Sequence, residues 1–274
     1  MAFTGWSDTG TVTVDTARRL VDSFDAERFL TVDPEDYYVF TDSRPHVRID
    51  DEGARRIDWP KNEAYAARIP DAQNDLVIVM GAEPNLRWRT FSERMTDALW
   101  DLNPSLVCTL VARPAATPHT RPVPVSGSSA DPRLAARFGL GRSLYQGPTG
   151  ILGVLHDVLR RRGASLVSLA AGVPHYLNVE ENPPATLALL TALEPVLGFA
   201  PPLGDLHEEV AAFAVRVEEA SRGDDQIGSY VRTLEEHYGE TPEEEVQPEA
   251  GGELPSADDI LRDVEDFLRG GNDK

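Results

Sequence analysis

Six histidines, one cysteine and two lysines set the limits on the chemistry open to this 274-residue chain. His46, His119, His156, His175, His207 and His237 are scattered. No two stand four apart beside a glutamate, the spacing by which a zinc protease helix presents two imidazoles on one face. No metal site is expected. A Gly-x-x-x-x-Gly-Lys-Ser/Thr loop is absent, and the two lysines are Lys61 and Lys274. The ammonium that normally pairs with nucleotide phosphates is therefore missing, and ATP hydrolysis is not expected. No Gly-x-Ser-x-Gly elbow occurs; its nearest approach, Val125-Ser126-Gly127-Ser128-Ser129, follows an edge strand, which argues against Ser126 or Ser128 as a nucleophile. Cys108 lies within an apolar run, where a thiol behaves as a small hydrophobe rather than a reactive thiolate. No cofactor is expected, and an enzyme is the less favoured class.

Four glycine-containing loops hold the remaining candidates. Gly5-Trp6-Ser7-Asp8-Thr9-Gly10 offers Trp6 and Asp8. Gly81-Ala82-Glu83-Pro84-Asn85-Leu86-Arg87-Trp88 offers Gly81, Asn85 and Trp88, and Gly172-Val173-Pro174-His175-Tyr176 offers His175 and Tyr176. The fourth, Tyr145-Gln146-Gly147-Pro148-Thr149-Gly150, brings Gly147 and Thr149 ahead of a helix whose free amides can receive an anion or carboxylate. Each has a plainer reading: Asp8 and Thr9 as helix caps, the glycines as turn formers. If the loops meet at one sheet edge they form a binding cleft without an evident nucleophile and base.

The elements that position these loops follow from apolar patterning. Asp75 to Gly81, Ser105 to Ala112 and Ala164 to Ala170 are short continuous apolar runs, as in strands buried on both faces. Helical spacing covers Phe91 to Leu102, Gly150 to Arg162 and Pro183 to Leu197. A short first strand, Met1 to Gly5, feeds a helix over Thr11 to Phe24. This alternation predicts an α/β fold, a mostly parallel sheet flanked by helices. His46 to Trp59 reads as an antiparallel hairpin, Arg113 to Ala130 as a proline-rich loop with an edge strand at Val123 to Ser126, and residues 205–238 as a final helical pair lying over the sheet.

The formal net charge is −20, which opposes binding to nucleic acid or anionic membrane. Of it, −9 falls in residues 239–274. Gly239 to Ala257, rich in Glu, Pro and Gly, reads as a disordered linker. Beyond it Ile260, Leu261, Val264, Phe267 and Leu268 fall on one face at helical spacing, a short amphipathic helix over 258–270 that either docks back on its own domain or enters a partner's groove. A single cysteine and the lack of a signal peptide or long apolar stretch make the cytoplasm the expected compartment.

In order and spacing, Ala2-Phe-Thr-Gly-Trp-Ser-Asp-Thr-Gly10, Val77-Ile-Val-Met-Gly-Ala-Glu-Pro84 with Trp88, Gly147-Pro-Thr-Gly150 and Val173-Pro-His-Tyr176 resemble the PAC2 family, the proteasome assembly chaperone 2-like proteins, over residues 1–200. The helical region 201–238 and the acidic tail are similar to actinobacterial members. The resemblance implies a nucleoside phosphorylase-like α/β domain with a C-terminal helical extension. It also implies self-association, for example as a trimer, and a proteasome-related or other protein partner. The chain ends Gly271-Asn-Asp-Lys274, without the hydrophobic-tyrosine-X ending of archaeal docking tails, so docking by that route is not expected. The competing expectation is a small-molecule or nucleotide-binding enzyme using the loop cleft, in line with the ATP-grasp or carboxylate-amine ligase label given to some relatives.

Overall fold

The computed structural model describes residues 1–50, 52–70, 72–177, 179–221 and 225–238. The strongest apolar run becomes β6 (Leu76–Ala82), whose side chains alternate between two cores. Ile78 and Met80 enter one; Val79 enters the other. A strand buried on both faces needs neighbours on both sides and helices above and below. β6 pairs in parallel with β1 (Ala2–Thr4) and antiparallel with β5 (Asn62–Ala67), which pairs antiparallel with β2 (Glu27–Val32). A second group is β7 (Val107–Ala115), parallel to β9 (Leu166–Pro174), with β8 (Val125–Ser128) antiparallel on the far edge.

Met1 joins the two groups. Its amino nitrogen donates to the Cys108 carbonyl at 2.8 Å, and its own carbonyl accepts the Leu110 N–H at 3.0 Å. Bonding to the residues on either side of Thr109 is the pattern of a parallel pair. The spatial order is β2-β5-β6-β1-β7-β9-β8, with β5 and β8 reversed relative to the other five. This is the expected α/β architecture, with a parallel centre and antiparallel strands toward both edges.

The helices α1 (Val12–Ser23) and α5 (Pro183–Leu197) cover one face, with Val12, Ala17, Leu189 and Leu190 packed on Ile78, Leu110 and Leu169. On the other face α2 (Trp88–Trp100) and α4 (Ile151–Arg161) bring Phe91, Met95, Ile151 and Leu155 against Phe3 and Val79. A short helix, α3 (Pro132–Phe138), begins where Asp131 accepts the Arg133 N–H at 2.8 Å. The expected final helical pair is α6 (Leu206–Ser221) and α7 (Asp225–Glu236), and Leu206 is buried in the core of α1 and α5. The linker 239–257 and helix 258–270 lie outside the described residues. Among the described residues no helix is long and apolar enough to cross a membrane.

The hairpin is present as β3 (His46–Ile49) and β4 (Arg55–Asp58), with Val47 opposite Ile57 and Ile49 opposite Arg55. All eight of its residues are exposed. One face carries Val47, Ile49 and Ile57, which are 56%, 69% and 56% exposed. The other is crossed by the ion pairs Arg48–Asp58 and Arg56–Asp50.

Two outcomes test this packing. Leu189 is fully buried, so Leu189→Ala is expected to cost about 2–5 kcal/mol of unfolding free energy in urea titration. His156 on α4 sits with Nε2 2.8 Å from Thr109 Oγ1 on β7, and burial pushes its imidazole down from 6.5 to about 4. The unfolded chain therefore takes up the proton first, and the stability that the neutral ring supplies is present above pH 6.5 and lost as pH falls toward 4. Urea midpoints for His156→Gln should fall less than wild type over that interval; parallel profiles would refute the assignment.

Candidate functional site

The strand-end loops are tied together by a carboxylate that residue patterning did not single out. Glu83 follows β6, and its amide donates to the Thr4 carbonyl at 2.9 Å. Its Oε1 accepts the Ile151 N–H at 2.6 Å and its Oε2 accepts the Trp6 N–H at 3.1 Å. Helix α4 has no cap from its own N-cap residue, Gly150. Its first amides and dipole are met instead by a carboxylate 68 residues upstream. The anion expected at this helix start is thus the protein's own. The contact is close: a Cβ at Gly150 would fall 2.6 Å from Glu83 Oε1. Trp6 itself is 68% exposed, held by its backbone while its indole faces solvent.

Asp8 plays the same part for α1. It is 8% exposed, and its carboxylate accepts the Thr13 N–H at 2.8 Å and the Val14 N–H at 3.5 Å. Burial pushes its carboxyl up to about 7, with those amides opposing. Thr9 donates to the Ala112 carbonyl through both N–H and Oγ1, at 3.0 and 3.2 Å, fastening the loop to the end of β7.

The other candidates divide by neighbour. Gly81 is required by close approach, since a Cβ there would come 2.1 Å from Asn62 Oδ1. Asn85 Oδ1 accepts the Val39 N–H and the Ser43 hydroxyl, each at 3.0 Å, and its N–H donates to the Tyr37 carbonyl at 2.9 Å. Asn85 thus orders the segment between β2 and the hairpin. Trp88 donates from Nε1 to the Pro84 carbonyl and packs against the α2–α4 core. Thr149 lies over Gly153 in the first turn of α4, where a Cβ would be 1.9 Å from its Oγ1. Gly147 belongs to the separate unit that includes Leu144–Pro148, within which the Tyr145 hydroxyl donates to the Pro148 carbonyl at 2.8 Å.

His175 and Tyr176 form a second group with His119 and Tyr230. His175 Nδ1 lies 2.9 Å from the Ala115 carbonyl, so that nitrogen carries the proton and Nε2 accepts the Tyr230 hydroxyl at 3.1 Å. Tyr176 Oη accepts the His119 backbone N–H at 2.7 Å and directs its proton to His119 Nδ1, also at 2.7 Å. The rings meet edge to face at centroid separations of 5.7–5.9 Å. Burial lowers the His119 imidazole and raises the Tyr176 phenol. These residues seat α7 on the ends of β7 and β9. Tyr230 is 40% exposed, and its hydroxyl makes it a polar contact of α7.

Ser126 and Ser128 lie within β8 in register with Ala170 and Ser168. Burial pushes the Cys108 thiol up to about 11, away from thiolate chemistry. Among the described residues no group of three His, Cys, Asp or Glu side chains converges as a metal site requires. Glu83→Ala is expected to cost about 1.5–3 kcal/mol in urea unfolding, the range for a hydrogen bond to a charged group, with Glu83→Gln costing less. A change within error for both would show that the α4 amides find another partner.

Solved structures place this geometry among relatives. A PAC2 family protein from Streptomyces avermitilis is 39% identical with a TM-score of 0.75, covering 84% of this chain and 97% of its own. The proteasome-assembly chaperone homologue of Mycobacterium tuberculosis gives the same identity and TM-score over 84% of this chain and 98% of its own. The archaeal proteasome activator PbaB of Pyrococcus furiosus, 19% identical with a TM-score of 0.62, covers 78% of this chain and 90% of its own and shares the fold. No curated protein matches the chain. The PAC2 family signature itself spans residues 2–221, from the first residue of β1 to the last of α6, and the chain therefore belongs to the PAC2 family.

Proposed function

We propose that this protein is a non-enzymatic, self-associating assembly factor that binds a proteasome-related protein partner. The observation that carries the reading is the β3–β4 hairpin, with its apolar face of Val47, Ile49 and Ile57 open to solvent. A lone two-stranded hairpin is marginal in water. A face of branched aliphatics on such an arm is accounted for by a protein surface that covers it, and a second copy of the chain is the occupant proposed. The titratable groups at the strand ends point the same way. Asp8 and Glu83 are spent on helix amides, and His175 and Tyr176 on seating α7. The Mycobacterium tuberculosis relative is described as a proteasome-assembly chaperone homologue and the Pyrococcus furiosus PbaB as a proteasome activator, which supports the choice of partner. The apolar stripe Ile260, Leu261, Val264, Phe267 and Leu268 is proposed as a partner-binding helix on an acidic tether.

Native mass spectrometry of the full chain is expected to give a homo-oligomer. Ile49→Asp with Ile57→Asp, both at exposed positions, should give a monomer with an unchanged circular dichroism spectrum. A wild-type monomer would refute self-association. Affinity purification from the native host should recover proteasome subunits in stoichiometric amount and lose them when residues 239–274 are removed. Recovery of no protein, or of a bound small molecule alone, would refute the assembly reading.

A further inference from the structure

Two surfaces of the domain are unfinished in complementary ways. β2 closes one end of the sheet, and among the described residues no strand pairs with its outer side. Most of its residues are exposed, Phe29 at 45%. Such an edge presents a row of unpaired N–H and C=O groups and accepts an added strand unless something covers it. Beside it, between β2 and α2, runs a groove of about 450 Å³. Leu30 and Val32 form one wall, and Phe91, Met95 and Ala98 the other. The rim is acidic, with Asp33, Glu35 and Asp36 set against the guanidinium of Arg94. Asp36 is held by Arg87 at 2.9 Å and Arg94 donates to the Tyr37 hydroxyl at 3.3 Å. Glu35 is exposed, and its carboxylate forms no ion pair with another described residue.

The hairpin carries the matching set. Its register puts Arg55 opposite Ile49 and Ile57 opposite Val47, so Arg55 stands on the aliphatic face. Arg48 and Arg56, on the other face, are engaged by Asp58 and Asp50, whereas Arg55 forms no ion pair with another described residue. An exposed strand with an apolar face and an uncommitted cation thus has its counterpart in an open edge with an apolar groove and an uncommitted carboxylate. We propose that the hairpin of one copy adds to the β2 edge of a second copy, with Val47, Ile49 and Ile57 over the groove and Arg55 against Glu35. Main-chain bonds along β2 hold the added strand, and the groove selects its side chains. The chain's own acidic segment would bring Glu243, Glu244 and Glu245 to a rim that is already acidic, which favours the second copy. Because hairpin and groove are different surfaces, every copy offers one of each. The contact rests on the self-association proposed above and adds the surface that covers the hairpin.

The test uses the full chain. Ala98 is exposed on α2 at the groove and arginine is a good helix former, so Ala98→Arg obstructs the groove while keeping the fold. Native mass spectrometry should give the wild-type chain as a homo-oligomer and Ala98→Arg as a monomer. Mixed with the Ile49→Asp, Ile57→Asp variant, Ala98→Arg should form a one-to-one heterodimer, its intact hairpin entering the other variant's intact groove. Arg55→Glu should weaken assembly at least about tenfold, and Glu35→Arg in the same chain should restore it, a rescue that does not depend on Ala98→Arg. Hydrogen exchange within β2 should be slower in the wild-type oligomer than in the hairpin variant. An Ala98→Arg chain that assembles like wild type, no heterodimer in the mixture, or no rescue by Glu35→Arg would overturn the groove contact and leave the hairpin reading standing; a wild-type monomer would overturn both. Protection of β2 unchanged in the monomeric hairpin variant would give the groove to the chain's own tail. Loss of the proteasome-related partner by an Ala98→Arg chain that still assembles would give it to that partner, and either result overturns the proposal.

Discussion

Three residues, Ala2 to Thr4, occupy the middle of a sheet built from strands scattered across the first 174 positions. β1 bonds to β6 along its length, while Met1 bonds to β7 on the other side. Because successive side chains point to opposite faces, Ala2 enters the core of α1 and α5, and Phe3 the core of α2 and α4. Both are essentially inaccessible to solvent, so neither face tolerates a polar substitution without an unpaired group in a dry interior. So short a strand must turn sharply to feed α1. Gly5, at φ +112° and within 2.9 Å of Glu83 Cβ for any added Cβ, and Gly10, at φ +69° against the Glu180 carbonyl, make that turn.

The same economy governs the helix starts. A helix exposes four amides at its N-terminus, and burial next to a sheet edge removes the water that would satisfy them. α1 is met by Asp8, α4 by Glu83 and α5 by Asn182, each from outside the helix it serves or at its threshold. The loops at the carboxyl ends of the parallel strands, where α/β proteins commonly hold ligands, are here drawn inward onto the protein's own amides.

The extension is held differently from the core. α6 is anchored by Leu206 and by the ion pairs of Arg19, whereas α7 rests on the ring contacts of Tyr230 with His175 and Tyr176 and on bonds from Thr120 and Tyr238. Partly exposed polar contacts of this kind carry less free energy than buried aliphatic packing.

The sequence by itself determined the elements whose identity depends on their own residues. The apolar runs of β6, β7 and β9 and the stripes of α1, α2, α4 and α5 are legible because burial on two faces or on one helical side leaves a periodic record. The turn text of His46 to Trp59 likewise predicts its hairpin. β2 and β5 left no such record. Asn62–Ala67 is a strand because β6 supplies one ladder and β2 the other, and Glu27–Val32 is exposed along most of its length. α3 was hidden behind the proline-rich loop that precedes it. Asp8 was legible as a cap because its amides lie five and six residues away, while Glu83 was not, since the amides it meets belong to Trp6 and Ile151. Tertiary structure alone decided the strand order, the partners of Glu83, and the meeting of His119 with Tyr176 and of His175 with Tyr230. Pattern along a chain reports what a residue buries, whereas the identity of a distant hydrogen-bond partner exists only once the chain has closed on itself.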